Sequence, residues 1–310
     1  MRLCSIAKVV VNVALSLCAW HATFAQQKSL TRTFLPGTEE RYQINVLIRV
    51  ETHGVSTETV GEKAYANFYT HQADGEVSWR ATRKISAVDQ DGTAAVEETL
   101  DWFATNCDKD PTSRSFNAAL QKSVQDTCAG WQAVTSLRYG EEKLGLIHGL
   151  SDPTPGVFGS DSSLLSLWVR RAFRPSVILP KGPINFGNRA AHRIENSSAD
   201  RGKPEGEESM EWLEAPGEIP AATLHVAQNL SWIDKGGKNP ATKVGTRPDP
   251  RQTFYADSLN TISLLDGSLL MASRSASHET KDTLDPVPGL PDAPAFGSKL
   301  TITVTILRLP

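Results

Sequence analysis

Among 310 residues there is no Gly-x-Ser-x-Gly, no His-Glu-x-x-His and no glycine-rich loop ending in Gly-Lys-Ser/Thr. The first absence removes the sharp turn that exposes a hydrolase serine. Gly149-Leu150-Ser151-Asp152-Pro153 and Gly159-Ser160-Asp161-Ser162-Ser163 both lack the closing glycine, and they read as a loop and a helix cap. The second absence removes the helical zinc pair, and His53, His71, His148, His192, His225 and His278 are dispersed. In Lys181-Gly182-Pro183-Ile184-Asn185-Phe186-Gly187, Pro183 has no amide to offer a phosphate. No catalytic residue, metal ligand or cofactor follows from these spacings. An enzyme would have to assemble Ser, His and Asp from distant positions.

Long apolar runs are equally scarce. Only the start of the chain offers one, Val9 to Trp20, and Asn12 interrupts it. That is short of the roughly 20 residues a membrane helix needs. It follows Arg2 and Lys8, and it ends in Thr23-Phe24-Ala25, with small residues where a signal peptidase wants them. Residues 1–25 are therefore expected to be a cleaved export signal, and the protein periplasmic or secreted. Cys18 could carry a lipid only in a lipoprotein signal, which the bulky Leu17 before it opposes. Loss of Arg2 and Lys8 moves the formal charge from −3 to −5 and leaves 285 residues. An acidic chain with scattered Lys and Arg has no broad footprint for nucleic acid, and any membrane contact is expected to be peripheral.

Cysteine is rare too. Four fall to two with the leader, and the remaining pair, Cys107 and Cys128, is expected to form a structural disulfide in an oxidising compartment. Redox chemistry would want Cys-x-x-Cys, which is missing.

What is present is mostly strand. Tyr42, Ile44, Val46, Ile48 and Val50 keep one parity against Gln43, Asn45 and Arg49, the period of a half-buried strand. Val77, Trp79, Ala81, Ile85 and Ala87 do the same. Asp91-Gly92 then turns the chain into Val96, Leu100 and Trp102. Asp74-Gly75 and Asp266-Gly267 are expected to be hairpin turns of the same kind. Ile302, Val304 and Ile306 alternate with Thr301, Thr303 and Thr305 in a closing strand.

Helix is central. Ser160-Asp161 can cap a helix running to Phe173, with Leu164, Leu165, Trp168, Val169, Ala172 and Phe173 on one side. Ser163, Ser166, Arg170 and Arg174 lie on the other, and Pro175 stops it. Arg170, Arg171 and Arg174 could meet an anionic group, but read first as a solvated face. A weaker helix spans Ser113 to Val124 on Phe116, Leu120 and Val124. Residues 196–208, 234–250 and 285–297 read as loops. The expected fold is mainly β, leaning to α+β: antiparallel sheets in two β-rich halves (26–150 and 177–310) joined by a connecting helix at 151–176.

Val177-Ile178-Leu179-Pro180-Lys181-Gly182-Pro183-Ile184-Asn185-Phe186-Gly187-Asn188 resembles a pattern of secreted bacterial β-rich proteins of uncharacterised activity. Ile184, Asn185 and Asn188 depart from it, and no tryptophan follows before Trp212. The resemblance implies architecture alone; half-barrels like those of lipoprotein carriers are a further analogy. Trp79, Trp102, Trp131, Trp168, Trp212 and Trp232 suit either a core or an apolar cleft. The expected function is non-enzymatic: binding of an apolar, amphipathic or lipid-like ligand, or of an envelope partner, between sheet and helix. The alternatives are a hydrolase built from dispersed residues and an assembly component that pairs through sheet edges. The exported protein should have the intact mass of residues 26–310 less two hydrogens, and reduction should restore those two.

Overall fold

The computed structural model describes residues 29–60, 63–107, 115–150, 164–194, 203–233, 251–282 and 296–310. The leader and its cleavage point lie outside them. Eleven strands form one antiparallel sheet: β1 (Glu39–Val60), β2 (Lys63–Val88), β3 (Ala94–Cys107), β4 (Ser136–Glu141), β5 (Ile147–His148), β6 (Arg189–Ile194), β7 (Glu205–Glu214), β8 (Ala221–Ile233), β9 (Arg251–Ser263), β10 (Leu269–Asp282) and β11 (Phe296–Arg308). Helices α1 (Ser115–Gln132) and α2 (Leu164–Ala172) complete the described elements.

The spatial order is β5-β4-β3-β2-β1-β11-β10-β9-β8-β7-β6. Each block is a meander, and the two join where β1 pairs with β11 from Tyr42↔Arg308 to His53↔Gly297. The strands before and after the β5–β6 connection, a crossover from one edge of the sheet to the other, thus share one sheet. The closing strand expected at the C-terminus lies at its centre. Ile44, Val46, Ile48, Ile302, Val304 and Ile306, the alternating apolar set, are buried at this seam.

Asp91-Gly92 and Asp266-Gly267 turn as expected, between β2 and β3 and between β9 and β10. Asp74-Gly75 does not. β2 runs straight through it, pairing Asp74 with Arg49 and Gly75 with Ile48, and the reversal falls between Val60 and Lys63. Gly75 lacks the positive φ of a tight turn. Ala73, Val77, Trp79 and Ala81 keep one buried parity across it. A turn at Asp74 would leave the outer part of β1 without a partner, and cross-strand pairing outweighs the local preference.

Strand directions put the short turns 89–93, 142–146, 215–220 and 264–268 at one end of the sheet. The N-terminal segment crosses this end, where Arg32 N donates to Lys143 O (2.7 Å) and Thr33 N to Asp266 O (2.9 Å). Gly267 (φ 71°) is required there, because a Cβ would sit 2.7 Å from Thr31 O. The crossover reaches the same end: Leu179 N donates to Leu144 O, and a Cβ on Gly145 would collide with Val177 O.

Both helices differ from their expected extents. α1 runs on to Gln132, bringing Cys128 and Trp131 onto the stripe of Val124, all three buried. Nothing is described of the Cys107 side chain, so its bridge to Cys128 stays a proposal. In α2, Leu165, Val169 and Ala172 are buried as the wheel predicts, but so are Ser166 and the following Arg174. The proposed cap, Ser160-Asp161, lies outside the described residues. β7 begins at Glu205, inside the expected 196–208 loop; residues 234–250 and most of 285–297 lie outside the described set.

The seam predicts an asymmetric pair of variants. Ile302→Asp puts a carboxylate at a position with no exposure and should cost about 3–5 kcal/mol or prevent folding. Thr303→Asp, on the outer face, should stay within about 0.5 kcal/mol. Urea titration of both proteins reads the difference.

Candidate functional site

Three charged residues occupy apolar-parity positions near the crossed end. Arg83 stands between Ala81 and Ile85, Glu98 between Val96 and Leu100, and Glu40 two residues before Tyr42. All three are buried. Arg83 donates from Nη1 to Glu40 Oε2 (2.9 Å) and Pro175 O (3.1 Å), from Nη2 to Glu141, and from Nε to the Tyr139 hydroxyl (3.0 Å). Tyr139 passes the contact on by donating to Glu98 (2.8 Å), which Arg174 also meets at 3.5 Å. Arg32 donates to both Glu40 oxygens at 2.9 and 2.8 Å. Arg32, Arg83 and Arg174 thereby balance Glu40, Glu98 and Glu141.

Burial by itself would raise the Glu40 carboxyl, but Arg32 and Arg83 outweigh it and hold Glu40 below the usual carboxylate range. Burial would likewise weaken Arg83 as a base; Glu141, Tyr139 and Glu40 reverse that and push it well above an ordinary arginine. Tyr42 is raised to about 12, by burial first and by Glu40 second. Every member is buried, from Arg83 with no exposure to Glu40 with 8%, and the cluster ties separate elements together.

Arg274, between Ala272 and Ala276, has a different environment. Nη1 donates to the carbonyls of Ala172 and Arg174, Nη2 to that of Ser176, and Nε to Asn260 Oδ1, all at 2.8 Å. The carbonyls of Ala172 and Arg174 lie at and just past the end of α2, a natural seat for a cation. Burial lowers Arg274 to about 10. The side chain clamps α2 onto β10. The expected three-arginine face is therefore corrected: Arg174 is buried against Glu98, and only Arg171 of the three is fully exposed.

The tryptophans are chiefly core. Trp79 and Trp131 are buried around Phe173, with ring centroids at 5.6 and 4.8 Å, and Trp212 is buried in a second small cluster with Leu179 and Ile184. Trp102, Trp168 and Trp232 pack against the main core half-buried.

His148 and His225 meet carboxylates among the described residues. His148 contacts Glu142 on the surface, beside a wide groove of about 560 Å³ over the outer face of β2–β4 that includes Ser86. Ser86 Oγ is engaged with Ala95 O at 3.1 Å. His225 bonds Asp257 at 3.0 Å on the outer face of β8–β9. Ser273 lies in the same cross-sheet row as His225, but two strands away across Leu259. That is about 10 Å at normal strand spacing, beyond hydrogen-bond reach. Among the described residues no group of His, Cys, Asp and Glu is placed to hold a metal ion.

One stretch of the inner face is not closed over. Among the described residues the inward side chains at the centre of β9–β11 and β1–β4 are mostly buried, whereas in the middle of β6–β8 Glu208, Met210, Val226 and Gln228 are half-buried and Ala190 and His192 exposed. Register sorts these into rows. Ala190, Met210 and Val226 form one; His192, Glu208 and Gln228 form the next. The second row continues into the small Ala256 and Ala276 on β9 and β10. Gln228 Nε2 donates to Glu208 Oε2 at 2.6 Å. β6 itself is an edge strand, only six residues long and carrying Arg189, His192 and Arg193. Such short, charged edges discourage strand addition.

The geometry defines a class: an antiparallel meander sheet with helices on its inner face and one part of that face half-open. No protein-family profile matches the chain, and no curated protein does. Two solved structures overlap it poorly. The InvG secretin domain β-barrel of the Salmonella SPI-1 injectisome shares 10% identity at a TM-score of 0.15, over 90% of this chain and 62% of that one. The InvG secretin of the Salmonella SPI-1 type III secretion injectisome gives 9% and 0.14, over 90% and 65%. The chain thus spans less than two thirds of the length of either, and superpositions of this quality carry no functional weight.

Removing Arg83 leaves buried carboxylates without their shared cation. Arg83→Met should cost about 3–5 kcal/mol in a chemical melt. The folded state favours ionised Glu40, so the unfolded chain takes up more protons in acid. Stability should hold above the ordinary carboxyl value of 4.5 and fall below it. Glu40→Gln should flatten that acid limb of the stability–pH curve.

Proposed function

We propose that the protein is an exported, non-enzymatic binding protein that takes an amphipathic small molecule on the inner face of β6–β8. The observation that carries this reading is the partial exposure of inward-facing Met210 and Val226, where this row and the next bury Val46, Val304, Ile302 and Ala276 further along the sheet. Apolar side chains left accessible next to a few polar groups have the composition of a small-ligand surface. The export leader, if cleaved as expected, places that surface in the periplasm or outside the cell. An envelope-assembly role has less support, since β6, the longer of the two edge strands, is guarded by charge.

Nile red should brighten on binding the wild-type protein. Met210→Arg and Val226→Asp should each weaken that binding roughly tenfold, the ~1.4 kcal/mol expected from losing a partly buried apolar contact. Unchanged titration curves for both folded variants would overturn the assignment.

A further inference from the structure

The outward charges of β6 and β7 include a mutual pair, Arg189 with Glu207 at 3.1 Å. Inward, matters differ. The inward parity of β6–β9 runs Ala190, His192 and Ile194; then Gly206, Glu208, Met210, Trp212 and Glu214; then Ala222 to Trp232; then Gln252 to Ile262. Two acidic side chains lie on it, Glu214 at the exposed end of β7 and Glu208 half-buried in its middle, and no Arg or Lys of these strands shares that parity. The nearest inward cation by register is Arg274 on β10, whose guanidinium is spent on the end of α2. Gln228 occupies Glu208 Oε2 with a neutral donor, which orients the carboxylate without cancelling its charge. The flanking rows supply Met210, Val226 and Ala190 on one side and Ile194 and Leu230 on the other.

The geometry points to a ligand with a cationic, hydrogen-bond-donating head, such as an alkyl ammonium, seated on Glu208 with its chain along the Met210–Val226 row. This rests on the inner face of β6–β8 being the binding surface. A carboxylate head would meet Glu208 as a like charge at a half-buried position. A primary ammonium offers three donors to the carboxylate and leaves its chain free to lie on the apolar row.

The test is displacement of Nile red by dodecylamine and by dodecanoate. The wild-type protein should release the dye to the amine at a concentration roughly tenfold lower than to the acid. Glu208→Gln should keep Nile red binding and lose that preference. Glu207→Gln, on the outer face, removes the same charge from the neighbouring residue and should keep it. Equal displacement by both amphiphiles in the wild type, or a preference that survives Glu208→Gln or disappears in Glu207→Gln, would overturn the head-group assignment. Failure of the wild type to bind Nile red at all would instead overturn the surface itself.

Discussion

Arg83 has no exposure, and its guanidinium is shared by Glu40 of β1, Glu141 and Tyr139 of β4, and the carbonyl of Pro175 in the crossover. Through Glu40 it is coupled to Arg32 in the N-terminal segment, and through Tyr139 and Glu98 to Arg174. Pieces far apart in sequence are brought together around one cation. Buried ion clusters add little net stability compared with an apolar core, because each charge first loses its water. They are unforgiving of misplacement, since any strand or connection out of register leaves a charge alone. The position of the crossover, and hence of α2, depends on that requirement.

From α2 the dependence passes to the other half of the sheet. Arg274 holds the carbonyl end of the helix against β10. With the helix fixed there, and α1 against the core of β1–β3, the inner face is covered over its middle and first strands. The centre of β6–β8 is left half-open. The candidate site is thus a consequence of where the cover stops. Its character comes from three adjacent strands: two apolar rows with His192, Glu208 and Gln228 between them.

Much of the strand pattern was legible. Alternation over 42–50, 77–85 and 300–306 marks the buried faces of β1, β2 and β11, a bulge after Ile85 leaves Ala87 exposed, and Asp91-Gly92 and Asp266-Gly267 mark true reversals. Asp74-Gly75 misled because turn propensity is local, whereas β1 supplies a partner for every residue on either side of it. Arg174 misled because a helical wheel shows sides of a helix, not what lies against them. The charged residues that matter did leave a trace: Arg83, Glu98, Arg274 and Glu208 each sit on the apolar parity of a strand. A charge on that parity signals either a buried partner or an open face. Choosing between the two needs the neighbouring strands.

By itself the sequence determined the period of its strands, the apolar side of each, two of its hairpins and a central amphipathic helix, all properties set by residues close along the chain. Only the tertiary structure decided that the last strand lies beside the first, that six buried charges neutralise one another, and that a single half-buried carboxylate remains on the open part of the inner face. Those outcomes depend on pairings between residues up to 266 positions apart, as with Tyr42 and Arg308. Side-chain alternation shows which way a strand faces; its neighbour is chosen by the packing of the whole sheet.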